Sequence, residues 1–133
     1  MKGAHVLVIE DNEQNLSLMR FLLEQHGFIV SEAVDGPRGI EAALREIPDM
    51  ILLDIQLPLM DGYAVARELR RHDALRDLPI VAVTSYAMPD DRGKCLAAGA
   101  TDYIEKPIDP ESFVERICGH LTDRKGCGSD ISE

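Results

Sequence analysis

Polar residues follow four short apolar runs of this chain, each at or near the point where the run ends. They are Glu10 and Asp11 after residues 5–9, Asp54 after residues 50–53, Thr84 after residues 80–83, and Lys106 shortly after Tyr103-Ile104. If these runs are parallel strands, their carboxyl ends lie side by side at one edge of a sheet. That edge would hold three carboxylates, a hydroxyl and an ammonium. Such a set can bind a divalent cation and a phosphoryl group together, with one carboxylate free to act as a nucleophile.

Taken singly, most of these residues also have an ordinary structural explanation. Asp11 could cap a helix, and Glu10 could be a solvated strand end. Thr84 suits a strand because it is β-branched, and Tyr103 suits the edge of one. Lys106 alone would be a surface lysine. The chemical interpretation therefore depends on the residues as a set.

Asp54 is harder to explain in structural terms. It directly follows the apolar residues 50–53, so it is expected near the interior, where loss of hydration disfavours a charged carboxylate. The sequence therefore predicts a cation close to Asp54.

The elements that must position these residues alternate between strand and helix. Helix signals begin at Asp11-Asn12-Glu13 and stop at Gly27. The strands that follow are predicted at 28–34, 50–54, 80–84 and 102–105, and the helices at 36–46, 62–72, 89–98 and 110–121. This alternation favours right-handed crossovers and a parallel sheet that is covered on both faces. We therefore predict a doubly wound α/β fold with a five-stranded parallel sheet.

The length of 133 residues and the hydrophobic content of 45% fit one domain. We assign residues 1–122 to this domain. Residues 123–133 are polar and Gly-rich, and we predict that they form a disordered C-terminal tail.

The charge and the cysteines narrow the functional classes. The formal net charge of -10 opposes nonspecific attraction to nucleic acid or anionic lipid, so no direct nucleic-acid binding is expected. Cys95, Cys118 and Cys127 lack the spacing of a zinc site or a disulfide framework, which favours a reducing compartment. The sequence shows no signal peptide and no membrane-spanning stretch. These features predict a cytoplasmic protein without membrane insertion.

Four motifs, in order, resemble the receiver domain of two-component response regulators. The motifs are Val8-Ile9-Glu10-Asp11-Asn12, Leu53-Asp54-Ile55-Gln56-Leu57-Pro58 with Met60-Asp61-Gly62, Val83-Thr84-Ser85, and Lys106-Pro107. The resemblance extends from about His5 to Leu121, and it implies the flavodoxin-like topology of that family.

By this resemblance, Asp54 is the phospho-acceptor and receives a phosphoryl group from a histidine kinase or a phosphotransfer protein. The resemblance also implies Mg²⁺, bound by Asp11, Asp54 and the backbone carbonyl of Gln56, with Glu10 holding a metal-bound water. The chain would then catalyse its own phosphorylation without being a turnover enzyme.

The resemblance also implies how the signal leaves the site. Lys106 would pair with one phosphoryl oxygen, and the Thr84 hydroxyl would bind another. Movement of Thr84 would open space for the ring of Tyr103 and so change the face formed by helix 4, strand 5 and helix 5, where a downstream protein would bind. Gln56 and Tyr86 occupy variable positions beside the phosphoryl group and are expected to set its lifetime.

Two other functions compete with this one. A haloacid-dehalogenase-like phosphatase also uses an aspartate after a strand, but it carries a second aspartate two positions later, where this chain has Gln56. A non-phosphorylated scaffold usually lacks the acceptor or the lysine, and both are present here. Residues 81–88 look most like cell-cycle regulators of the DivK type and receivers of hybrid kinases. The chain could be a stand-alone regulator in a phosphorelay or an excised receiver, and it could form a homodimer on phosphorylation.

Overall fold

Strands and helices alternate along the whole described part of the chain. The computed structural model describes residues 3–84, 89–106 and 108–125. The strands are β1 His5–Ile9, β2 Ile29–Ala33, β3 Met50–Asp54, β4 Ile80–Thr84 and β5 Asp102–Glu105. The helices are α1 Glu13–Gln25, α2 Gly36–Arg45, α3 Gly62–Arg70, α4 Pro89–Ala98 and α5 Pro110–Lys125, and a 3-10 turn covers Asp73–Leu75.

The five strands form one parallel sheet in the order β2-β1-β3-β4-β5. β1 and β3 are neighbours in the middle of the sheet, and β4 and β5 follow on one side. This order confirms the predicted doubly wound fold with receiver topology. It also brings the carboxyl ends of β1 and β3 together, where the strand order reverses.

The apolar runs are continuous because the central strands are buried on both faces. All five residues of β3 and of β4 are buried, as are four of the five residues of β1. β2 is an edge strand, and Ile29 at its start is 57% exposed. This strand is shorter than the predicted 28–34 because Phe28 and Val34 lie outside the ladder with β1.

Alternate residues of each strand enter two hydrophobic layers on opposite faces of the sheet. Val8 and Leu52 belong to the layer that α1 and α5 cover, together with Phe113. Ile9 and Leu53 belong to the layer that α2 and α3 cover, with Ala98 of α4. The sheet therefore separates two main cores that different helices cover, and a smaller cluster contains Ala82 of β4 and Cys95 of α4.

Side-chain caps fix the starts of three helices. Asn12 caps α1 by accepting a hydrogen bond from the Asn15 N–H at 3.0 Å, so the N-cap role falls on Asn12 and Asp11 remains available to the site. Asp61 caps α3 in the same way, and Asp35 caps α2.

The helix ends differ from the prediction at three places. α2 ends at Arg45, one residue before the predicted end. α3 ends at Arg70, two residues before the predicted end, and the 3-10 turn follows it. α5 continues to Lys125, beyond the predicted end at Leu121. Residues 126–133, including Cys127, lie outside the described residues, as does Tyr86, so the tail remains a prediction.

No helix in the described part of the chain is long and apolar enough to cross a bilayer.

Candidate functional site

Four side chains meet where β1, β3, β4 and β5 end. Asp54 and Thr84 are the last residues of β3 and β4, and Glu10 and Lys106 directly follow β1 and β5. Glu10 is 0% exposed, Asp54 3% and Thr84 2%. The sequence predicts burial for Asp54, but the burial of Glu10 was not expected from its position at a strand end. Two carboxylates are therefore held together in the interior.

Lys106 is the cation beside Asp54 that the sequence predicts. Its Nζ lies 3.5 Å from Asp54 Oδ1 and 3.2 Å from Glu10 Oε1, and its side chain is only 11% exposed. The ammonium donates a hydrogen bond of 3.5 Å to Glu10 Oε2. Lys106 thus pairs with both buried carboxylates, which offsets part of the loss of their hydration.

One ammonium does not balance the negative charge of this cluster. Burial first, and then the neighbouring Asp54 carboxylate, raise the pKa of Glu10 from 4.5 to about 7, while Lys106 and the Asn12 N–H oppose the shift. The Asn12 N–H donates to Glu10 Oε2 at 3.2 Å. Glu10 Oε1, the oxygen that faces Lys106 at 3.2 Å, forms this ion pair without the geometry of a hydrogen bond to any described residue. The cluster therefore has room for more positive charge.

The oxygen atoms of this cluster fit a divalent cation. Glu10, Asp11 and Asp54 each offer one carboxylate oxygen, and these oxygens lie within 4.8 Å of one another. Asp11 is exposed, whereas the other two are buried. The set opens into a cleft of about 780 Å³ that Gln56 and Lys106 also line. Hard oxygen ligands beside open space suit Mg²⁺, which keeps several waters when it binds to proteins.

Backbone contacts fix the direction of the Asp54 carboxylate. The Gln56 N–H donates to Asp54 Oδ1 at 3.0 Å. Ile55 directly follows Asp54 in the sequence. Its N–H donates to Val83 O at 3.1 Å, and its carbonyl accepts from the Gly62 N–H at 2.8 Å. The loop after β3 is therefore tied to β4 on one side and to the start of α3 on the other.

Thr84 and Tyr103 lie on the β4–β5 side of the site. The Lys106 N–H donates to Thr84 O at 2.7 Å, which joins the ends of these strands. Tyr103 is partly buried and packs against a cluster formed by Ile55, Ala82, Cys95 and Ala100. Because Ile55 directly follows Asp54, this cluster connects the acceptor position with α4 and β5.

The cleft also contains residues that the sequence analysis did not single out. Glu13, Asn15 and Val34 line it beside the acidic set. The first two lie in the first turn of α1, directly after Asp11, so their position in the sequence was an available signal. Val34 follows β2 and is brought to the cleft only by the pairing of β2 with β1. Tyr86 lies outside the described residues.

Comparison of the sequence with known families identifies one clear match. The profile of the family described as the response regulator receiver domain matches residues 6–118. A curated relative, the polar-differentiation response regulator DivK of Brucella anthropi, is 39% identical over 118 residues, which cover 89% of this chain and 96% of the relative. The DivK of Brucella ovis is 38% identical over the same length.

Solved structures agree with this match. The receiver domain of the sensor histidine kinase PA1611 from Pseudomonas aeruginosa PAO1 is 37% identical, with a TM-score of 0.80, and covers 86% of this chain and 93% of that one. It is described with a magnesium ion coordinated in its active site cleft. A putative response regulator from Chloroflexus aurantiacus J-10-fl has a TM-score of 0.87 at 27% identity and covers 91% of this chain and 99% of that one.

Proposed function

The chain belongs to the response regulator receiver domain family, and from this premise we propose that Asp54 accepts a phosphoryl group from a histidine kinase or a phosphotransfer protein. The observation that supports this role is the burial of Asp54 beside Glu10 and Lys106 at the carboxyl end of a central strand. A solvated surface aspartate would have neither the second carboxylate nor the ammonium.

Membership of this family identifies the chain as a receiver and not as a turnover enzyme. The alternative of a haloacid-dehalogenase-like phosphatase is therefore wrong. The presence of Asp54 and Lys106 together also argues against a scaffold that is never phosphorylated.

In the proposed reaction, a carboxylate oxygen of Asp54 attacks the phosphorus of a phosphohistidine. The new P–O bond gives an acyl phosphate, the P–N bond breaks, and the imidazole leaves with its electron pair and takes up a proton. The Gln56 N–H already fixes Oδ1 of Asp54, so the carboxylate needs little reorientation. Lys106 lies where it can bind a phosphoryl oxygen, and the Thr84 hydroxyl binds another.

Glu10, Asp11, Asp54 and the carbonyl of Gln56 would hold Mg²⁺. When bound, this ion neutralises negative charge on the phosphoryl group and the carboxylates. In the described part of the chain, the buried Glu10 Oε1 contacts Lys106 as an ion pair and accepts no hydrogen bond, so it can still accept one from a metal-bound water, which supports this assignment. Metal binding would provide the positive charge that Lys106 alone does not supply.

The signal would leave the site through Tyr103. Thr84 binds the new phosphoryl group, the ring of Tyr103 moves against the cluster that contains Cys95, and the face formed by α4, β5 and α5 changes. This face would bind a downstream protein in the cytoplasm, and it could also support a phosphorylation-dependent homodimer. Nucleic acid is not an expected partner, because the chain carries a net charge of -10.

Intact mass spectrometry tests the acceptor assignment. The protein is incubated with acetyl phosphate and Mg²⁺, and the wild type is compared with Asp54→Asn and with Asp73→Asn. Asp73 is an exposed carboxylate outside the site, so its substitution should leave the chemistry unchanged. We expect one phosphoryl adduct in the wild type and in Asp73→Asn, and none in Asp54→Asn. An equal adduct in all three proteins would contradict the assignment.

A further inference from the structure

Arg70, the last residue of α3, makes contacts that the proposed phosphoryl transfer does not use. Its Nε donates to Gly99 O at 2.8 Å. Its Nη1 donates to Leu75 O and to Arg76 O, both at 2.9 Å, and its Nη2 donates to Thr101 Oγ1 at 3.3 Å. One guanidinium thus binds four acceptors, and a planar fork of donors can do this where an ammonium cannot.

These acceptors belong to segments that are far apart in the sequence. Gly99 follows the end of α4, and Leu75 and Arg76 belong to the 3-10 turn and its end. Thr101 directly precedes β5, and its hydroxyl also accepts from the Ile80 N–H at 3.1 Å. The Thr101 N–H in turn donates to Ile80 O at 2.7 Å. Arg70 therefore joins the end of α3, the end of α4 and the starts of β4 and β5.

The packing around Arg70 leaves little freedom at the end of α4. Gly99 has a φ of 117°, and a Cβ at this position would lie 2.7 Å from Arg70 Cγ. The Gly99 and Ala100 amides donate to Leu96 O and Cys95 O at 3.0 Å each, which closes the last turn of α4. Burial lowers the pKa of Arg70, and the nearby Asp77 opposes this shift. The side chain is thus half-buried between the segments that it joins.

The opposite ends of β4 and β5 carry the chemistry. β4 ends at Thr84, and Lys106 directly follows β5, so both groups that would bind the phosphoryl oxygens lie at the end of the sheet away from Arg70. The phosphoryl contact would form beside Thr84, whereas the C-terminal end of α4 is held at Gly99. A movement that starts beside Thr84 therefore rotates α4 about its held end.

We propose that Arg70 is a positioning residue that fixes the C-terminal end of α4, so that α4 turns about this end when Asp54 is phosphorylated. The rotation of α4 rests on the proposed phosphorylation of Asp54. The fixing of the α4 end by Arg70 does not. Arg70 acts through Gly99 and Thr101 and does not touch the phosphoryl group. Its substitution should therefore change how α4 responds without removing the acceptor chemistry.

The first test measures the fixed end without phosphate. Amide hydrogen exchange is followed by NMR in the wild type, Arg70→Met and Arg71→Met. Arg71 is the matched control because it is adjacent, is 77% exposed and pairs only with Glu68 among the described residues. The reporters are the amides of Ile80, Gly99, Ala100 and Thr101. We expect Arg70→Met to increase the exchange rates of these amides relative to the wild type. The increase should be about ten-fold larger than at the β1 and β3 amides, which report general stability.

The second test adds phosphorylation. With acetyl phosphate and Mg²⁺, we expect adduct formation in the wild type to alter exchange at residues 93–95 of α4 and to leave the four reporter amides unchanged. In Arg70→Met, the adduct should still form, and the change should extend to the reporters. Reporter amides that respond to the adduct in the wild type would overturn the turning of α4 about a fixed end.

Two further results keep the outcomes separate. Thr101→Val removes one acceptor of Arg70 and keeps the arginine, so it should give a smaller acceleration at Gly99 and Ala100 even if Arg70→Met does not fold. Ile80 is not a reporter in this variant, because its N–H loses the Thr101 hydroxyl as its acceptor. Reporter exchange that matches the Arg71→Met control in both variants would overturn the fixed end, and the turning of α4 about it, but not the proposed function of Asp54. The absence of any adduct would overturn the proposed function, and the turning with it, whatever the first test shows.

Discussion

The burial of Glu10 makes the stability of the metal-free protein depend on pH. Its pKa is about 7 in the folded chain and 4.5 as an ordinary carboxyl, so the folded state binds a proton that the unfolded state releases between these values. The stability from this proton is fully present below the lower value and is lost as the pH rises through about 7. We expect the free energy of unfolding, measured by urea titration with a chelator, to fall over this range.

Glu10→Gln should flatten this dependence, because glutamine does not titrate. Glu13→Gln is the control, since Glu13 is an exposed carboxylate that lines the same cleft. The control should follow the wild type from about pH 4 to about pH 8, a range that contains both pKa values of Glu10. If Glu10→Gln retained the full pH dependence, another group would be its source.

Asp11 provides a test of metal binding that does not require phosphorylation. Mg²⁺ that binds only to the folded acidic set should stabilise the protein by about 2.7 kcal/mol at roughly a hundred-fold excess over its Kd. The melting temperature should rise accordingly. Asp11→Asn should remove most of this gain. The side chain is exposed and does not cap α1, so the substitution should leave the metal-free melting temperature nearly unchanged. A full response to Mg²⁺ in Asp11→Asn would contradict the metal assignment.

Tyr86 and Gln56 are proposed to set the lifetime of the acyl phosphate. A ring that covers the phosphoryl group would exclude water and slow its hydrolysis. We therefore expect Tyr86→Ala to shorten the lifetime, measured as the decay of the adduct mass after removal of the phosphodonor. Tyr63→Ala is not a suitable control because Tyr63 packs against the core, so Tyr86→Phe, which keeps the ring, serves instead. Equal lifetimes in all variants would exclude the shielding role.

Among the elements, the junction between β3 and α3 has no space for a side chain at Gly62. A Cβ at Gly62 would lie 2.5 Å from Ile55 Cα and 2.7 Å from Asp54 O, and neither backbone atom can move without disturbing the site. We expect Gly62→Ala to destabilise the protein by about 1–3 kcal/mol, as overpacking does in a well-packed core. It should also slow the formation of the adduct, because Asp54 would be displaced.

Gly119 is the matched control in a helix. It lies within α5, and beyond the neighbouring backbone of this helix no described atom lies within 4 Å of a Cβ at this position. Gly119→Ala should stabilise the protein by about 0.5–1 kcal/mol, because alanine loses less conformational entropy in a helix. The two substitutions should therefore change the urea midpoint in opposite directions. Destabilisation of similar size in both would show that close packing at Gly62 is not the cause.

The sequence predicted most element boundaries because burial and chemistry change at the same residues. β1, β3, β4 and β5 have the predicted bounds, since each apolar run ends where the polar site residue begins. The end of α3 was wrong by two residues because Arg70 turns to bind carbonyls of the following segment. No spacing rule marks such a contact, because its acceptors are backbone oxygens that any sequence carries.

The prediction of the site depended on topology as much as on residue type. Asp54 was recognisable because it follows a fully apolar strand. The burial of Glu10 was not, because it results from the position of β1 between β2 and β3 and from contact with Lys106. Val34 reaches the cleft by strand pairing alone. These features need the three-dimensional arrangement, whereas the identity of the acceptor does not.

At the scale of the whole molecule, the sheet divides the interior into two cores. Ile117 belongs to the layer under α1 and α5, and Ile80 belongs to the layer under α2 and α3. We expect Ile117→Val and Ile80→Val to cost about 0.5–1.5 kcal/mol each and to add within about 0.5 kcal/mol when combined. The measurement is the free energy of unfolding of the two single variants and the double variant.

A pair within one core provides the contrast. Phe113 and Ile117 are one turn apart on α5 and lie in the same layer. Phe113→Leu and Ile117→Val each remove volume from this layer. The change in the free energy of unfolding of the double variant should therefore depart from the sum of the two single changes. Additivity in this pair, or a large departure in the pair across the sheet, would contradict the division into two cores.

The ion pair between Glu10 and Lys106 joins residues that are 96 positions apart. During synthesis, therefore, the acidic half of the site leaves the ribosome long before the lysine that neutralises it. A nascent chain that ends before β5 carries the carboxylates of β1 and β3 without their cation, and these buried charges would repel one another. On the function proposed for Asp54, the chain becomes able to accept a phosphoryl group only when its last strand has joined the sheet.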